Sequence, residues 1–158
     1  ARTHRFLLTR TWEKSSSVMV FVMLNPSTAD ALADDPTIRR CTDFAKREGC
    51  GGIKVVNLFA LRSADPSALK THPDPVGMGN DEFIARECAD AGAVVAAWGM
   101  SGIFLGRDRE VTRMLVAAGV RLWCLGVTST GQPRHPLYIR GNAPLVWYEP
   151  WGGDERAE

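Results

Sequence analysis

Apolar residues along the chain gather into four short continuous runs, Val18–Leu24, Ile53–Leu58, Ala93–Ala97 and Val120–Leu125. Runs of this length without polar alternation suit strands covered on both faces, the usual condition of a parallel sheet. Helical spacing fills the gaps between them. Asp35-Pro36 offers an N-cap and a first-turn proline. Ile38, Cys41, Phe44 and Ala45 then share one face, and the helix closes at Gly49 behind Lys46 and Arg47. Asn80–Asp90 carries Phe83, Ile84 and Glu87-Cys88 at helical period, and Arg107–Ala118 turns Val111, Met114, Leu115 and Ala118 inward before Gly119. Phe6–Trp12 predicts a short edge strand and Pro144–Trp147 a last one, followed from about residue 150 by a frayed tail. The Pro-rich stretch from Arg62 to Gly79 is longer than most loops, a length that marks function or mobility.

Strands alternating with helices predict one α/β domain over residues 1–158. Its expected form is a three-layer α/β/α sandwich around a central, mostly parallel sheet of about four strands. Open sheets of this kind bind ligands beyond the carboxyl ends of their strands. Asn25, Asn57, Trp98-Gly99 and the loop holding His135 all occupy or follow such ends, so they are expected to share one cleft.

Composition narrows the function classes. With 158 residues, 45% hydrophobic and 23% charged, the chain can bury a core of its own. A net charge of +1 gives no bulk attraction to nucleic acid. A local basic patch of Arg39, Arg40, Arg134 and Arg140 is the candidate for contacts to a nucleic-acid backbone. No apolar run approaches the roughly 18–20 residues of a membrane span, and the start has no apolar signal region. The expected protein is a cytoplasmic monomer with no membrane partner. Its four cysteines form no Cys-x-x-Cys pair, so neither a metal, an iron–sulfur cluster nor another cofactor is expected.

The polar motifs carry the chemistry. Asn25-Pro26-Ser27-Thr28-Ala29-Asp30 lacks the glycines of a phosphate loop. Asn25 can hold a water through its side-chain oxygen or donate to a base or a carbonyl, or with Ser27 it can simply satisfy a tight turn. Asn57 places an amide inside an apolar strand, which is costly unless the amide bonds to backbone or to a ligand with an amide-like edge. His135, flanked by prolines, is held where an imidazole stabilises charge on a leaving group, or is an exposed loop side chain. Asp30 is the candidate for activating water, against a merely solvated aspartate, and Asp35 reads as the helix cap. Trp98 is an apolar wall of the cleft or a core filler. No Gly-x-Ser-x-Gly elbow, EF-hand, zincin or dinucleotide fingerprint occurs.

Five segments resemble the family called domain of unknown function 1643: Met23–Asp30, Asp35–Cys41, Val56–Arg62, Ala97–Gly99 and Gly131–Tyr138. That resemblance implies no activity. The order of motifs is also similar to the uracil-DNA glycosylase superfamily, and this more distant likeness implies a fold and a chemistry. Asn25-Pro26 looks like the Asn-Pro motif that positions the attacking water there. Val55-Val-Asn57, with Arg62 and Asp65-Pro66, is similar to the base-recognition strand of the thermostable iron–sulfur branch. His135-Pro136-Leu137 looks like the late His-Pro motif that stabilises the uracil anion and enters the minor groove. The chain departs from that pattern in three places. The base-stacking aromatic has only Phe44 and Phe59 as candidates, the four-cysteine spacing is missing, and Leu137-Tyr138 replaces a Ser-Pro pair.

The expected function is hydrolysis of an N-glycosidic bond at a modified base, in nucleic acid or in a nucleoside. Asn25, His135 and Asp30 would be catalytic, and Pro26, Ser27, Asn57, Trp98 and Leu137 would bind the base. The alternative is a non-catalytic nucleotide- or nucleic-acid-binding module using the same pocket. A third possibility is an interaction protein that keeps only the fold.

Overall fold

The computed structural model describes residues 3–30 and 32–150, so the tail expected to fray lies largely at 151–158, outside the described residues. In chain order the elements are β1 (Leu8–Thr11), β2 (Val18–Met23), α1 (Pro36–Arg47), β3 (Gly52–Asn57), α2 (Asn80–Ala89), β4 (Ala93–Ala96), α3 (Arg107–Ala117), β5 (Leu122–Cys124) and β6 (Val146–Trp147). Short 3-10 segments at Pro66–Lys70, Met100–Gly106 and Pro136–Tyr138 interrupt the connections.

The sheet is mixed and has six strands in the order β1-β3-β2-β4-β5-β6. This enlarges the expected sheet of about four strands. β3, β2, β4 and β5 run parallel, with Met23 opposite Asn57 and Val20 opposite Val94. β1 and β6 close the two edges antiparallel. The parallel strands coincide with the four apolar runs because each is packed on both faces. On one face Ile38, Cys41, Phe44 and Ala45 of α1 meet Met19, Phe21, Ile53 and Val95. On the other, Ile84 and Cys88 of α2 and Val111 and Leu115 of α3 meet Val20, Val56, Val94 and Leu122. Helices therefore cover both sides of the sheet.

Two details differ from the pattern read in the sequence. Ala118 is exposed, because α3 ends at Ala117 and Ala118 serves as its C-cap instead of continuing the buried stripe. The Arg62–Gly79 stretch contains a 3-10 turn started by the Asp65 carboxylate, which accepts from Ser67 N at 3.0 Å, with Pro66 at the first position. Among the described residues no helix is long and apolar enough to cross a membrane.

Topology sets the site. The chain leaves β2 for α1 on one face, and leaves the adjacent β4 for α3 on the other. Between two neighbouring parallel strands whose connections part in this way, the loops separate and leave a crevice.

Candidate functional site

A cleft of about 580 Å³ opens at that point, and Asn25, Asn57, Gly99 and His135 all line it. Side chains alternate along β3, so Asn57 continues the row of Ile53 and Val55 that packs toward α1. At the last position of the row an amide takes the place of an apolar group. Asn57 is 3% exposed, yet its side-chain amide forms no hydrogen bond with the described residues. Its backbone is firmly held: Asn80 Nδ2 donates to Asn57 O at 2.9 Å and to Leu58 O at 3.2 Å. Arg107, 2% exposed, adds two bonds to Leu58 O at 3.0 and 2.8 Å. The strand end is thus clamped from behind, while the amide at its tip keeps its donor and acceptor for the cleft.

Asn25 stands two residues beyond Met23, the register partner of Asn57. Its Nδ2 donates to Pro26 O at 3.1 Å, Leu61 O at 3.2 Å and Ser63 O at 3.0 Å. Three surrounding carbonyls fix which end is nitrogen, and they leave Oδ1 without a partner among the described residues. Pro26 is buried behind it. Ser27 donates to Asp35 Oδ2 at 3.2 Å, and Asp35 Oδ1 caps α1 by accepting from Ile38 N at 2.9 Å. Asp35 lines the cleft, and it is the one carboxylate to do so among the described residues. Asp30 lies outside the lining. Its carboxylate is turned back on its own loop, accepting from Leu32 N and Ala33 N at 2.8 Å each, and those two bonds hold its pKa below the usual carboxylate range.

His135 is half-buried, and its Nδ1 accepts from Leu137 N at 3.2 Å. In the neutral ring that acceptor role assigns the proton to Nε2, which bonds to no described residue. Burial lowers the His135 pKa below its ordinary 6.5, against a smaller upward pull from Asp35, so the ring is neutral at pH 7. The site therefore presents a neutral N–H donor. Leu137 lies on the cleft wall at 38% exposure, and Tyr138, 79% exposed, stands beside it with its ring 5.4 Å from that of His135.

The four arginines of the expected basic patch are placed differently from one another. Arg40 reaches from α1 to Pro136 O at 3.2 Å and also donates to Ile139 O, so it fastens the His135 loop to the helix. Arg134 lines the cleft while donating to Val127 O at 3.0 Å. Arg39 and Arg140 are exposed and outside the lining. Trp98 is 1% exposed: its Nε1 donates to Gln132 Oε1 at 2.9 Å, and Gln132 Nε2 donates to Asp108 Oδ2 at 3.0 Å. It is both core and wall, packed in the cluster beneath the cleft and lining the cleft itself, and a Cβ at Gly102 would come within 2.0 Å of its ring, so only glycine lets the 100–106 segment cross there. Gly99 N donates to Pro133 O at 2.9 Å and ties the β4 exit to the His135 loop.

Tyr138 and Arg5 line the cleft but were not among the site residues read from the sequence. Tyr138 had a visible place in the Gly131–Tyr138 motif and supplies an exposed aromatic face beside the imidazole. Arg5 had no signal at all: it precedes the edge strand β1, and only the tertiary fold brings it to the cleft. Among the described residues no three His, Cys, Asp or Glu side chains gather as metal ligands.

The model of a family described as "Protein of unknown function (DUF1643)" matches residues 5–137. No match was found among curated proteins, nor among solved structures.

Proposed function

The chain belongs to the DUF1643 family, and from that premise, which assigns no activity, we propose that its cleft receives a nucleobase and hydrolyses the bond to its sugar. The observation that carries the proposal is Asn57, an amide 3% exposed and without a side-chain partner among the described residues, at the strand end. Burying such a group unpaired costs about 1–3 kcal/mol by mutational measures, which a ligand with a matching amide edge returns on binding. Uracil-like and other lactam bases have that edge. Likeness to the uracil-DNA glycosylase superfamily is part of the proposal.

The surrounding groups have complementary roles. Asn25 Oδ1, its amide nitrogen already committed to three carbonyls, accepts a hydrogen bond from the attacking water. As the glycosidic bond breaks, its electron pair passes to the base, and the neutral His135 Nε2–H donates to the anion that forms. The water oxygen bonds to the sugar carbon, and its proton is lost toward Asp35 or solvent. The hydrolysis products are a free base and a sugar without one. Removing one such donor to a developing anion costs about 10²–10³ in kcat. Turnover of a panel of base-modified oligonucleotides and nucleosides should thus fall by roughly that factor in His135→Ala. Full activity in that variant would overturn its role.

One observation favours a non-catalytic binding module instead. Asp35, the sole carboxylate of the described lining, is already used by Ser27 and by the start of α1. Base binding with no release of base from any substrate on the panel would select that second function.

A further inference from the structure

Arg5 is the unexplained charge of the molecule. It lines the cleft from the segment before β1, and its backbone N donates to Ala60 O at 2.8 Å, just beyond the exit of β3. Nη1 donates to Ala29 O, which holds the Asn25 loop. Nε is buried and has no hydrogen-bond partner among the described residues. No described carboxylate forms an ion pair with Arg5, whereas Arg10, Arg47, Lys54, Arg86 and Arg107 all have one.

The contrast with Arg10 is informative. Arg10 pairs with Asp34 at 2.7 Å and donates to Asp30 O and to Ala33 O, so the same loop already has a fully engaged anchor. Arg5 makes one such bond and leaves the rest of its fork unused. A half-buried guanidinium loses solvation, and the loss is recovered only by an anion or by acceptors in the plane of the fork. Burial first, then the neighbouring Arg62, push its pKa down, while Asp35 and Asp30 act the other way. Arg62, the neighbouring cation, also lacks an ion pair among the described residues.

We infer that Arg5 is an anion-binding residue of the cleft and that the ligand is a phosphate-bearing nucleotide unit, not a bare base or nucleoside. The identity of the unit as a nucleotide rests on the nucleobase proposal for Asn57, whereas the anion site rests on Arg5 alone. A guanidinium fork matches two phosphate oxygens, and among the described residues Arg5 commits only Nη1 to the protein. The phosphate has two sources, a free nucleoside monophosphate or the backbone of a strand.

The test follows the Arg5 Nε–H proton by NMR in the intact protein at constant ionic strength. Inorganic phosphate should give a saturable shift that acetate does not reproduce, that is absent in Arg5→Gln and that is weakened in Arg5→Lys, which keeps the charge but loses the fork. Asn57→Ala should leave this shift unchanged. The four common nucleosides and their 5′-monophosphates are then compared by calorimetry. A charged hydrogen-bonded pair predicts roughly tenfold or tighter binding of at least one monophosphate over its nucleoside, collapsing to about one in Arg5→Gln. A mixed-sequence pentanucleotide that binds tighter than every monophosphate identifies the strand as the source, and the reverse order identifies the free nucleotide. No shift of Arg5 Nε–H with phosphate, or an equal shift with acetate, overturns the inference, and neither reading needs a variant to fold. Nucleosides that bind with no gain from phosphate overturn it while sparing the nucleobase proposal. A phosphate shift with no nucleoside binding does the reverse for the nucleobase proposal: the anion site stands and its nucleotide identity falls.

Discussion

Asn57 and Asn80 are both buried almost completely, at 3% and 1% exposure, but substitution should lower stability at Asn80 and leave it nearly unchanged or raised at Asn57. Asn80 Nδ2 donates to Asn57 O at 2.9 Å and to Leu58 O at 3.2 Å. In Asn80→Ala, Leu58 O keeps its two bonds from Arg107 and the buried Oδ1 of Asn80, without a partner among the described residues, is relieved, but Asn57 O loses this donor and the side chain leaves a void. A buried group left short of its partner costs about 1–3 kcal/mol. Asn57 makes no side-chain hydrogen bond to a described residue, so none is lost. Asn57→Leu keeps the volume close and removes an amide whose burial costs about 1–3 kcal/mol, against a shape mismatch of up to about 1.5 kcal/mol. Because the amide touches the cleft, the low end of about 1 kcal/mol applies, and the expected net change runs from about 0.5 kcal/mol lost to about 1 kcal/mol gained. In a chain of this size 1 kcal/mol moves Tm by about 2–4 °C. Urea unfolding followed by circular dichroism should therefore show a lower midpoint for Asn80→Ala and a nearly equal or higher one for Asn57→Leu, at unchanged slope. A loss of more than about 1 kcal/mol in Asn57→Leu would refute the reasoning, since it would mean that the amide is a structural strut.

The His135 ring should titrate below 6.5 by NMR, because burial depresses its pKa. The unfolded chain then binds more protons than the native one below pH 6.5, so His135 makes stability fall as pH drops from 6.5 toward the folded-state pKa. His135→Gln should flatten that slope in pH-dependent urea unfolding, and an unaltered slope would contradict it. Arg40→Ala removes the bonds to Pro136 O and Ile139 O, so amide exchange over residues 136–140 should quicken while α2 and α3 keep their protection. Equal protection in that loop would show that Arg40 does not fasten it.

The parallel strands were legible in the sequence because burial on both faces writes itself as an unbroken apolar run, as in Val18–Met23. Asp35-Pro36 marked the start of α1 because capping is local chemistry, and the cap bond to Ile38 N is present. The edges were harder. β6 is two residues long, and its pairing of Trp147 with Trp123 depends on a partner far along the chain. The 3-10 segments carry too few residues for a period to show. At the site, strand ends pointed to Asn25, Asn57 and His135 because an open sheet gathers whatever follows its strands. Which atoms remain free could not be read that way: three carbonyls use up the nitrogen of Asn25, the loop turns Asp30 back on itself, and Arg40 is spent on the His135 loop. Arg5 is the extreme case, since what marks it out is a buried Nε without a partner among the described residues.

The central claim is that the unpartnered Asn57 amide recognises a nucleobase, and the most direct measurement is a titration of the protein with free nucleobases that follows the Asn57 side-chain NH2 and the His135 Nε2 by NMR. At least one base with an amide-like edge should shift both signals along one binding curve, and Asn57→Leu should abolish the shift at His135 without unfolding the protein. Bases that bind without moving the Asn57 amide, or that bind equally well to Asn57→Leu, would contradict the account.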